Sequence, residues 1–282
     1  MNVAVIGLGL IGGSIALDLK KNGFATRITG VDLSEANAQE ALTLGIVDEI
    51  GTLKETVEKA DLVIIATPVN AILRLLPEVL SFIQKDTAVT DVGSTKKQIA
   101  DSVKTHPNRK YYVPSHPMSG TENSGPKAAI NNLFKDKVAI ICDKDDSFEW
   151  VVERIHAMYN SLNSRILYFD SASHDEHVGY VSHLSHVISY ALATTVLNKE
   201  KKTSTIFDLA AGGFSSTARL AKSSADMWTP IFEQNAENIL PILGTYIEKL
   251  EEFKSFLKNK DFQKVTEFIQ EANKIRRVLD KK

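Results

Sequence analysis

A glycine-rich stretch near the start of the chain has the spacing of a dinucleotide-binding loop. Gly7, Gly9 and Gly12 form a G-x-G-x-x-G pattern directly after the apolar run at 3–6. The first glycine permits a tight turn, the second lets the backbone approach a pyrophosphate, and the third lets the next helix pack closely on the strand. That helix would offer the phosphates free N–H groups and the positive end of its dipole. We predict that a dinucleotide is bound by Gly7, Gly9, Leu10, Ile11 and Gly12. The alternative is a strand–helix turn without a ligand.

Asp32 stands at the end of the second predicted strand, 20 residues after Gly12. An acidic residue at this position accepts hydrogen bonds from the adenosine ribose of a dinucleotide. Its negative charge also repels the 2′-phosphate that distinguishes NADP from NAD. The sequence therefore predicts NAD as the cofactor.

Two short polar segments follow apolar runs that we predict to be strands. Thr67 and Pro68 come after the run at 62–66, and Ser94 lies between Gly93 and Thr95 after the run at 87–92. The carboxyl ends of strands in a doubly wound sheet border the crevice in which ligands bind. We therefore expect these segments to line the cofactor site. Ordinary capping of the next helix is the alternative for Ser94 or for Thr95, because both residue types are good N-caps.

His116 follows the next predicted strand, within the segment Ser115–Glu122. A histidine at a strand end beside a bound nicotinamide is well placed to act as a general base, because its ordinary pKa near 6.5 suits proton transfer at neutral pH. A structural histidine in a turn is the alternative.

Four of the seven histidines lie close together in the second half of the chain: His174, His177, His183 and His186. Two His-x-x-His pairs on a helix are able to bind a metal ion. Hydride transfer to NAD needs no metal, however, and the single cysteine is not nearby. We therefore predict no metal site and favour a polar helix face that lines a substrate pocket, with a packing role as the remaining alternative.

Arg219 lies in the segment 212–221, in which two glycines lead into a predicted helix. A guanidinium group on such an element can hold a substrate carboxylate through two parallel hydrogen bonds. The alternative is an arginine that is paired with an acid at the surface.

The order of the elements predicts an α/β fold followed by an all-helical part. Up to residue 169, short β-branched runs alternate with helical patterns, which is typical of a Rossmann-type, doubly wound parallel sheet. Only helical patterns follow, with long helices predicted at 176–197, 231–257 and 262–279. We predict an NAD-binding domain at 1–169 and a helical substrate-binding and dimerisation domain at 170–282.

The apolar residues of the last helices predict a homodimer. Three or four helices cannot easily bury the apolar positions of 231–279 against one small sheet domain. Interfaces between permanent partners resemble a protein core cut in half. We therefore expect the helical domain to join two copies of the chain.

Composition narrows the class of protein. The 282 residues carry 35 acidic and 33 basic side chains, a net charge of −2, which argues against a general nucleic-acid or anionic-membrane binder. The single cysteine, Cys142, excludes an intrachain disulfide framework and favours a reducing, cytoplasmic setting. No basic residue precedes Asp18, the first charged residue, and glycines interrupt the first apolar run, so we predict neither a signal peptide nor a membrane span.

Taken together, these motifs resemble the prephenate dehydrogenase family, which includes arogenate dehydrogenases. The resemblance extends along essentially the whole chain. It comprises GLGLIGGS at 7–14, ATPV at 66–69, DVGSTK at 91–96, SHPMSGTENSG at 115–125, HDEHVGYVSHLSH at 174–186 and STARLAKSSADMW at 216–228. The HPMSGTE and SHLSH segments are far more specific than the glycine loop.

The resemblance implies NAD-dependent oxidative decarboxylation of prephenate to 4-hydroxyphenylpyruvate, a reaction of tyrosine biosynthesis. It implies that His116 holds the ring 4-hydroxyl of the substrate and draws off its proton, while Ser94 shares that hydroxyl. It further implies a substrate site that includes Arg219, His186, Gly120 and Thr121. The helical domain would complete this pocket.

Two departures from the family pattern leave the substrate open. Many relatives have proline where Ser185 stands, and an acidic residue where Ser216 stands, three residues before Arg219. The ion pairs around the arginine are therefore expected to differ. Arogenate, which carries an amine where prephenate carries a keto group, is the alternative substrate.

Two other classes of protein compete with this interpretation. A β-hydroxyacid-type dehydrogenase usually relies on a lysine on the first interdomain helices, whereas the segment 170–197 offers histidines. A non-catalytic NAD-binding regulator would not need His116, Ser94, His186 and Arg219 to be present together.

Overall fold

The computed structural model describes residues 1–203 and 205–280. It separates into two compact units, one ending at Asn235 and the other beginning at Ala236. The change from mixed to all-helical structure falls at Asp170, directly after the last strand. Because this change and the division into compact units do not coincide, the domain boundary at residue 169 stays a prediction.

The described residues of the first unit form a central sheet of eight strands. Its strands are β1 (Asn2–Ile6), β2 (Arg27–Val31), β3 (Glu49–Ile50), β4 (Leu62–Ile65), β5 (Ala88–Asp91), β6 (Tyr112–Pro117), β7 (Val138–Cys142) and β8 (Arg165–Phe169). Their spatial order is β3-β2-β1-β4-β5-β6-β7-β8. This is the predicted α/β architecture with a Rossmann-like parallel core, and the fold prediction is confirmed.

The sheet differs from the prediction at one pair of strands. β6 and β7 run antiparallel, with His116 opposite Ile140, whereas all other neighbouring strands are parallel. A parallel pair needs a long crossover connection, usually a helix. Among the described residues, the connection between β6 and β7 holds only a single 3₁₀ turn, Pro126–Ala128. The chain therefore returns without a crossover helix.

Helices cover both faces of the sheet. Those of the α/β part are α1 (Leu10–Lys21), α2 (Glu35–Thr43), α3 (Leu53–Glu58), α4 (Val69–Phe82), α5 (Lys97–Ser102) and α6 (Glu149–Ser161). Successive residues of β1 enter opposite cores: Val3 and Val5 pack with α1 and α6, whereas Ala4 and Ile6 pack with α4 and α5. This double burial explains why the strands read as continuous apolar runs.

The all-helical part is more broken than its sequence pattern predicts. Its elements in the first unit are α7 (Ser171–Val178), a π-helical turn (Gly179–His183), α8 (Leu184–Thr203), a 3₁₀ turn (Phe207–Leu209), α9 (Gly212–Ala218), a second 3₁₀ turn (Arg219–Lys222) and α10 (Ala225–Gln234). The prediction of a single helix at 231–257 is wrong, because the backbone leaves the helical conformation at Asn235. The Asn235 amide instead donates to the carbonyl of Asp175, 2.8 Å away, on a distant segment.

The second unit is an arrangement of helices. They are α11 (Ala236–Lys258), α12 (Phe262–Asn273) and α13 (Arg276–Leu279). The helix predicted at 262–279 is therefore interrupted after Asn273. Phe268 of α12 meets Phe253 of α11 edge to face, with ring centroids 5.4 Å apart. In the described part of the chain, no helix is both long enough and apolar enough to cross a membrane.

Candidate active site

The glycine loop has the backbone geometry that its spacing predicts. Gly7 has a φ of +96°, and a Cβ there would lie 2.6 Å from the carbonyl oxygen of Ala66. A Cβ on Gly12 would lie 2.0 Å from the carbonyl oxygen of Gly7. A Cβ on Gly9, the N-cap of α1, would meet no described atom within 4 Å. The loop is therefore tight at its two ends, and it is open at Gly9, where a ligand would approach.

Asp32 is held at the end of β2 by two backbone donors. Its carboxylate accepts hydrogen bonds from the N–H of Leu8 and the N–H of Ser34, each at 2.9 Å. The side chain remains partly exposed. Each carboxylate oxygen has a second lone pair, so the group is fixed in place and still able to accept from a ribose hydroxyl.

Thr67 lies where β4 ends, beside the glycine loop. Its methyl group would be 3.0 Å from a Cβ on Gly7, and its Oγ1 is buried without a partner among the described residues. Buried hydroxyls are usually hydrogen-bonded, so this one is available to a polar atom of a ligand. Pro68 is the N-cap residue of α4. Together with the free N-terminus of α1 and the opening at Gly9, these features fit NAD.

Ser94 and Thr95 do not cap the helix that follows them. α5 begins at Lys97, and the backbone N–H groups of Lys96 and Lys97 donate to the carboxylate of Asp175 at 2.7 and 2.9 Å. The hydroxyl of Thr95 donates to the side-chain oxygen of Gln234 at 2.7 Å. The capping alternative for these two residues is therefore wrong. Ser94 is partly exposed, and within the described residues no hydrogen bond joins it to His116.

A buried charge pair lies behind the candidate site, and sequence reasoning missed it. The Lys96 side chain is 0% exposed and is paired with Asp91; it also donates to the carbonyl of Ser115 at 2.8 Å. The hydroxyl of Tyr112 donates to the carboxylate of Asp91 at 2.5 Å. Burial, and then the charge of Asp91, raise the pKa of Tyr112 well above its ordinary value. A buried charge needs such partners, and these fix the adjacent ends of β5 and β6.

His116 lies near the end of β6 with only one of its ring nitrogens engaged. Nδ1 lies 2.9 Å from Nε2 of His174, while Nε2 has no hydrogen-bond partner among the described residues. Burial, followed by the charges of His174 and Lys96, lowers the pKa of His116 well below its ordinary value. The ring is therefore neutral at neutral pH and carries one unprotonated nitrogen.

Two further histidines of the predicted polar face, His183 and His177, have separate partners. His183 Nδ1 lies 2.9 Å from the side-chain amide of Asn235, and burial lowers its pKa to about 4. His177 is exposed and contacts the carbonyl of Ser173. Within residues 1–203 and 205–280, no group of three or more side chains is placed to hold a metal ion.

The ring of His186 is supported by the stacked indole of Trp228. Its ring lies on that of Trp228 with centroids 3.4 Å apart, and its Nδ1 is 3.0 Å from the carbonyl of Ser182, to which it must donate. The neutral ring then has its acceptor on Nε2. Burial is the largest cause of its lowered pKa, and the charge of Arg219 lowers it further, which places the guanidinium nearby.

Arg219 is paired with an acid that sequence reasoning did not identify. One guanidinium nitrogen lies 3.5 Å from a carboxylate oxygen of Glu122, and the arginine side chain is 54% exposed. Ser216, where many relatives carry an acid, donates its hydroxyl to the carbonyl of Gly213 at 3.0 Å instead. The motif that contains His116 therefore also supplies the partner of the arginine.

Gly120 and Thr121 lie between His116 and Glu122 in the same segment. Gly120 is exposed, and the Thr121 hydroxyl accepts from the N–H of Asn123 at 3.2 Å, which holds a turn. The contacts thus connect this segment with His174 at one end and with Arg219 at the other. The roles of Gly120 and Thr121 in substrate binding stay predictions.

The fold and this site define a dehydrogenase that uses a dinucleotide cofactor. A glycine loop and an anchored acid lie at the carboxyl edge of a parallel sheet. A neutral histidine with a free acceptor nitrogen lies on the same sheet.

Comparison with known proteins identifies the family. Residues 15–168 match the model for the prephenate dehydrogenase nucleotide-binding domain, and residues 170–280 match that for the prephenate dehydrogenase dimerization domain. The chain is 32% identical to the prephenate dehydrogenase of Bacillus subtilis, over 97% of this chain and 75% of the relative. It is 31% identical to the cyclohexadienyl dehydrogenase of Zymomonas mobilis, over 99% of this chain and 96% of the relative.

A solved structure agrees with the sequence matches. The prephenate dehydrogenase of Aquifex aeolicus, in complex with hydroxyphenyl propionate and NAD⁺, superposes with a TM-score of 0.88 at 28% identity, covering 99% of this chain and 98% of the other. The chain belongs to the prephenate dehydrogenase family, whose members are NAD-dependent oxidoreductases. The predictions of family and cofactor are confirmed.

Proposed function

We propose that this enzyme converts prephenate to 4-hydroxyphenylpyruvate and carbon dioxide by NAD-dependent oxidative decarboxylation. The observation that carries the proposal is the arrangement around His116, a neutral imidazole with a free Nε2 in the segment that also reaches Arg219. The Aquifex relative, whose complex contains hydroxyphenyl propionate and NAD⁺, supports the class of substrate.

His116 is the proton acceptor in this proposal. As the ring 4-hydroxyl of prephenate becomes a carbonyl, its proton passes to Nε2 of His116. Ser94 shares the same hydroxyl and orients it. The glycine loop, Asp32 and Thr67 would hold NAD, which would accept the hydride that leaves ring carbon C4 as the hydroxyl loses its proton. Loss of carbon dioxide makes the ring aromatic, so the protein mainly aligns the reacting groups.

Arg219 and His186 bind the carboxylates of the substrate. The guanidinium group is half-exposed, and its one ion pair among residues 1–203 and 205–280 is the 3.5 Å contact with Glu122, so it retains donors for a substrate anion. His186 adds its ring beside the arginine, on the support of Trp228.

Replacing Arg219 by alanine is expected to raise KM for prephenate about 10- to 100-fold, because a hydrogen bond to a charged group contributes about 1.5–3 kcal/mol. kcat should change less, since the arginine does not take part in the proton transfer. Steady-state kinetics at saturating NAD measures both constants. Lys222→Ala, on the same 3₁₀ turn, is the control and should leave KM unchanged. An unchanged KM in the Arg219 variant would contradict the assignment.

Arogenate is the second candidate substrate. Glu122 places a carboxylate beside Arg219, where it is able to pair with the amine that distinguishes arogenate from prephenate. The decisive assay follows NADH at 340 nm with prephenate, arogenate and a 3-hydroxy acid in parallel. Turnover of prephenate supports the proposal, and turnover of arogenate alone would replace it with the second candidate. Turnover of the 3-hydroxy acid alone would reject both.

The enzyme is proposed to be a homodimer joined through its helical domain. The second unit exposes large apolar side chains on α11 and α12, namely Leu240, Ile247, Leu250, Leu257, Phe262 and Ile269. Exposed apolar patches of this kind mark protein interfaces. The matched family model for 170–280 describes a dimerization domain.

Light scattering at micromolar concentration should therefore give twice the 31.1 kDa mass of one chain. Leu250→Lys is expected to shift the mass toward the monomer, because an unpaired charge in an apolar interface is costly. The control is Glu248→Lys, at an exposed residue two positions earlier in the same helix, which therefore points away from the face that Leu250 occupies. A monomer mass for the unmutated chain would refute the assembly.

A cytoplasmic location is proposed as well. Cys142 is a buried free thiol, and burial strongly raises its pKa, so it is protected from oxidation. A chain with one such cysteine suits a reducing compartment.

A further inference from the structure

Asp175 and His174 form a hydrogen-bonded chain with His116. We propose that these two residues position His116 and keep its proton on Nδ1, so that Nε2 is the nitrogen that accepts a proton. The inference rests on the proposed function for its kinetic consequence. The arrangement of protons that it describes can also be measured without any turnover.

The chain of contacts starts at a well-anchored carboxylate. Asp175 is buried and accepts from the backbone N–H groups of Lys96 and Lys97 at 2.7 and 2.9 Å. The same oxygen that meets Lys96 lies 2.8 Å from Nδ1 of His174. A carboxylate offers only acceptors, so His174 must carry a proton on Nδ1.

The identity of each donor then follows along the chain. Burial is the largest cause of the lowered pKa of His174, so its ring is neutral and its Nε2 is an acceptor. Nε2 of His174 lies 2.9 Å from Nδ1 of His116, which must therefore donate. A neutral His116 with its proton on Nδ1 has its lone pair on Nε2. This is the nitrogen without a partner among the described residues.

The surrounding charges agree with two neutral rings. His116 faces His174, the ammonium of Lys96 and His183, all of which disfavour a charged imidazolium. His174 faces Asp175 and Asp91, which favour the charged form, and Lys96, which opposes it. Burial is the largest effect on both rings.

The chain also joins three separate elements. His116 lies on β6, His174 and Asp175 lie on α7, and Asp175 holds the N-terminus of α5 through Lys96 and Lys97. The His116 and His174 rings meet edge to face with centroids 5.1 Å apart, so His174 restricts the orientation of the other ring as well as its tautomer. A group that sets the tautomer of a catalytic histidine is able to control rate without touching substrate.

The direct test is nitrogen NMR of the full chain labelled with ¹⁵N-histidine, recorded without substrate at neutral pH. Long-range ¹H–¹⁵N spectra distinguish a protonated ring nitrogen from an unprotonated one, and loss of signals in His116→Asn assigns the ring. The expected result is a proton on Nδ1 of His116 and none on Nε2. A proton on Nε2 in the unmutated protein would overturn the proposal, whatever substrate the enzyme turns over.

Three variants test the consequence for the rate. His174→Phe keeps a ring but removes the acceptor, so kcat should fall about 10- to 100-fold and a His116 proton should appear on Nε2. His174→Gln can still accept from His116, so it should keep kcat within about fivefold. Glu176→Gln is the control on the exposed side of α7 and should behave like the unmutated enzyme.

Circular dichroism and the Kd for NAD show whether each variant is folded. A folded His174→Phe protein with unchanged kcat and unchanged tautomer contradicts the proposal. If His174→Phe does not fold, the NMR spectrum of the unmutated chain alone decides whether the proposed position of the His116 proton is correct. If no tested substrate is turned over, the proposed function fails, while the tautomer measurement still supports or rejects the positioning.

Discussion

Replacing His116 by asparagine is expected to lower kcat by about 10²- to 10⁴-fold, the usual contribution of a general base. Asparagine can accept a hydrogen bond from the substrate hydroxyl but cannot take its proton. The Kd for NAD should remain nearly unchanged, since the contacts predicted to hold the cofactor lie on other residues. Single-turnover and steady-state measurements with prephenate, together with NAD titration, check both expectations.

His106→Asn is a matched control, because His106 precedes β6 at the strand end opposite to His116. It should leave kcat unchanged. If His116→Asn raised KM alone and preserved kcat, His116 would be a binding group and the proposed proton transfer would be wrong.

The pH profile provides a second measurement on His116. From its sequence alone, an acid limb near pH 6.5 is expected, the ordinary range of histidine. Burial beside His174 and Lys96 lowers the pKa of His116 well below that range. Only the neutral ring accepts a proton, so kcat should stay constant through pH 6.5 and fall at lower pH, as the ring becomes protonated. This limb should be absent from the residual activity of His116→Asn.

NAD is expected to be preferred over NADP by at least about 100-fold in kcat/KM, because like charges at close range cost several kcal/mol. Asp32 cannot swing away from a 2′-phosphate without losing its hydrogen bonds to the N–H groups of Leu8 and Ser34. Asp32→Ala removes the charge and should narrow the preference. Initial rates with both cofactors at a fixed prephenate concentration measure the ratio.

Glu35→Ala is the control for this experiment. Glu35 is an exposed acid in the first turn of α2, close in sequence to Asp32. Its removal should leave the cofactor ratio unchanged, which would show that the effect belongs to Asp32 and not to negative charge in general. Equal use of both cofactors by the unmutated enzyme would refute the role of Asp32.

Much of the fold is predictable from local patterns, and two of the exceptions share one cause. Strands such as β4 are recognisable because both of their faces are buried, which requires an unbroken apolar run. The antiparallel pairing of β6 and β7 and the helix break at Asn235 were not predicted. Both depend on partners far away in the chain: the neighbouring strand in the first case, and Asp175 with His183 in the second.

The sequence by itself determined which chemical groups the protein possesses and where the chain presents them. The family and its cofactor were predictable from the glycine spacing, from Asp32 at a strand end, and from His116 and Arg219 within specific motifs. This was possible because consecutive residues determine both the side-chain chemistry and the local backbone geometry.

Only the tertiary structure decided which partners these groups meet. It places His174 beside His116 across 58 residues of sequence, pairs Arg219 with Glu122, and buries Lys96 against Asp91. The contact with His174 sets which ring nitrogen of His116 carries the proton, and burial, followed by the charges of His174 and Lys96, lowers the pKa of His116. Burial and hydrogen-bond partners come from segments that folding brings together, and no local pattern specifies them.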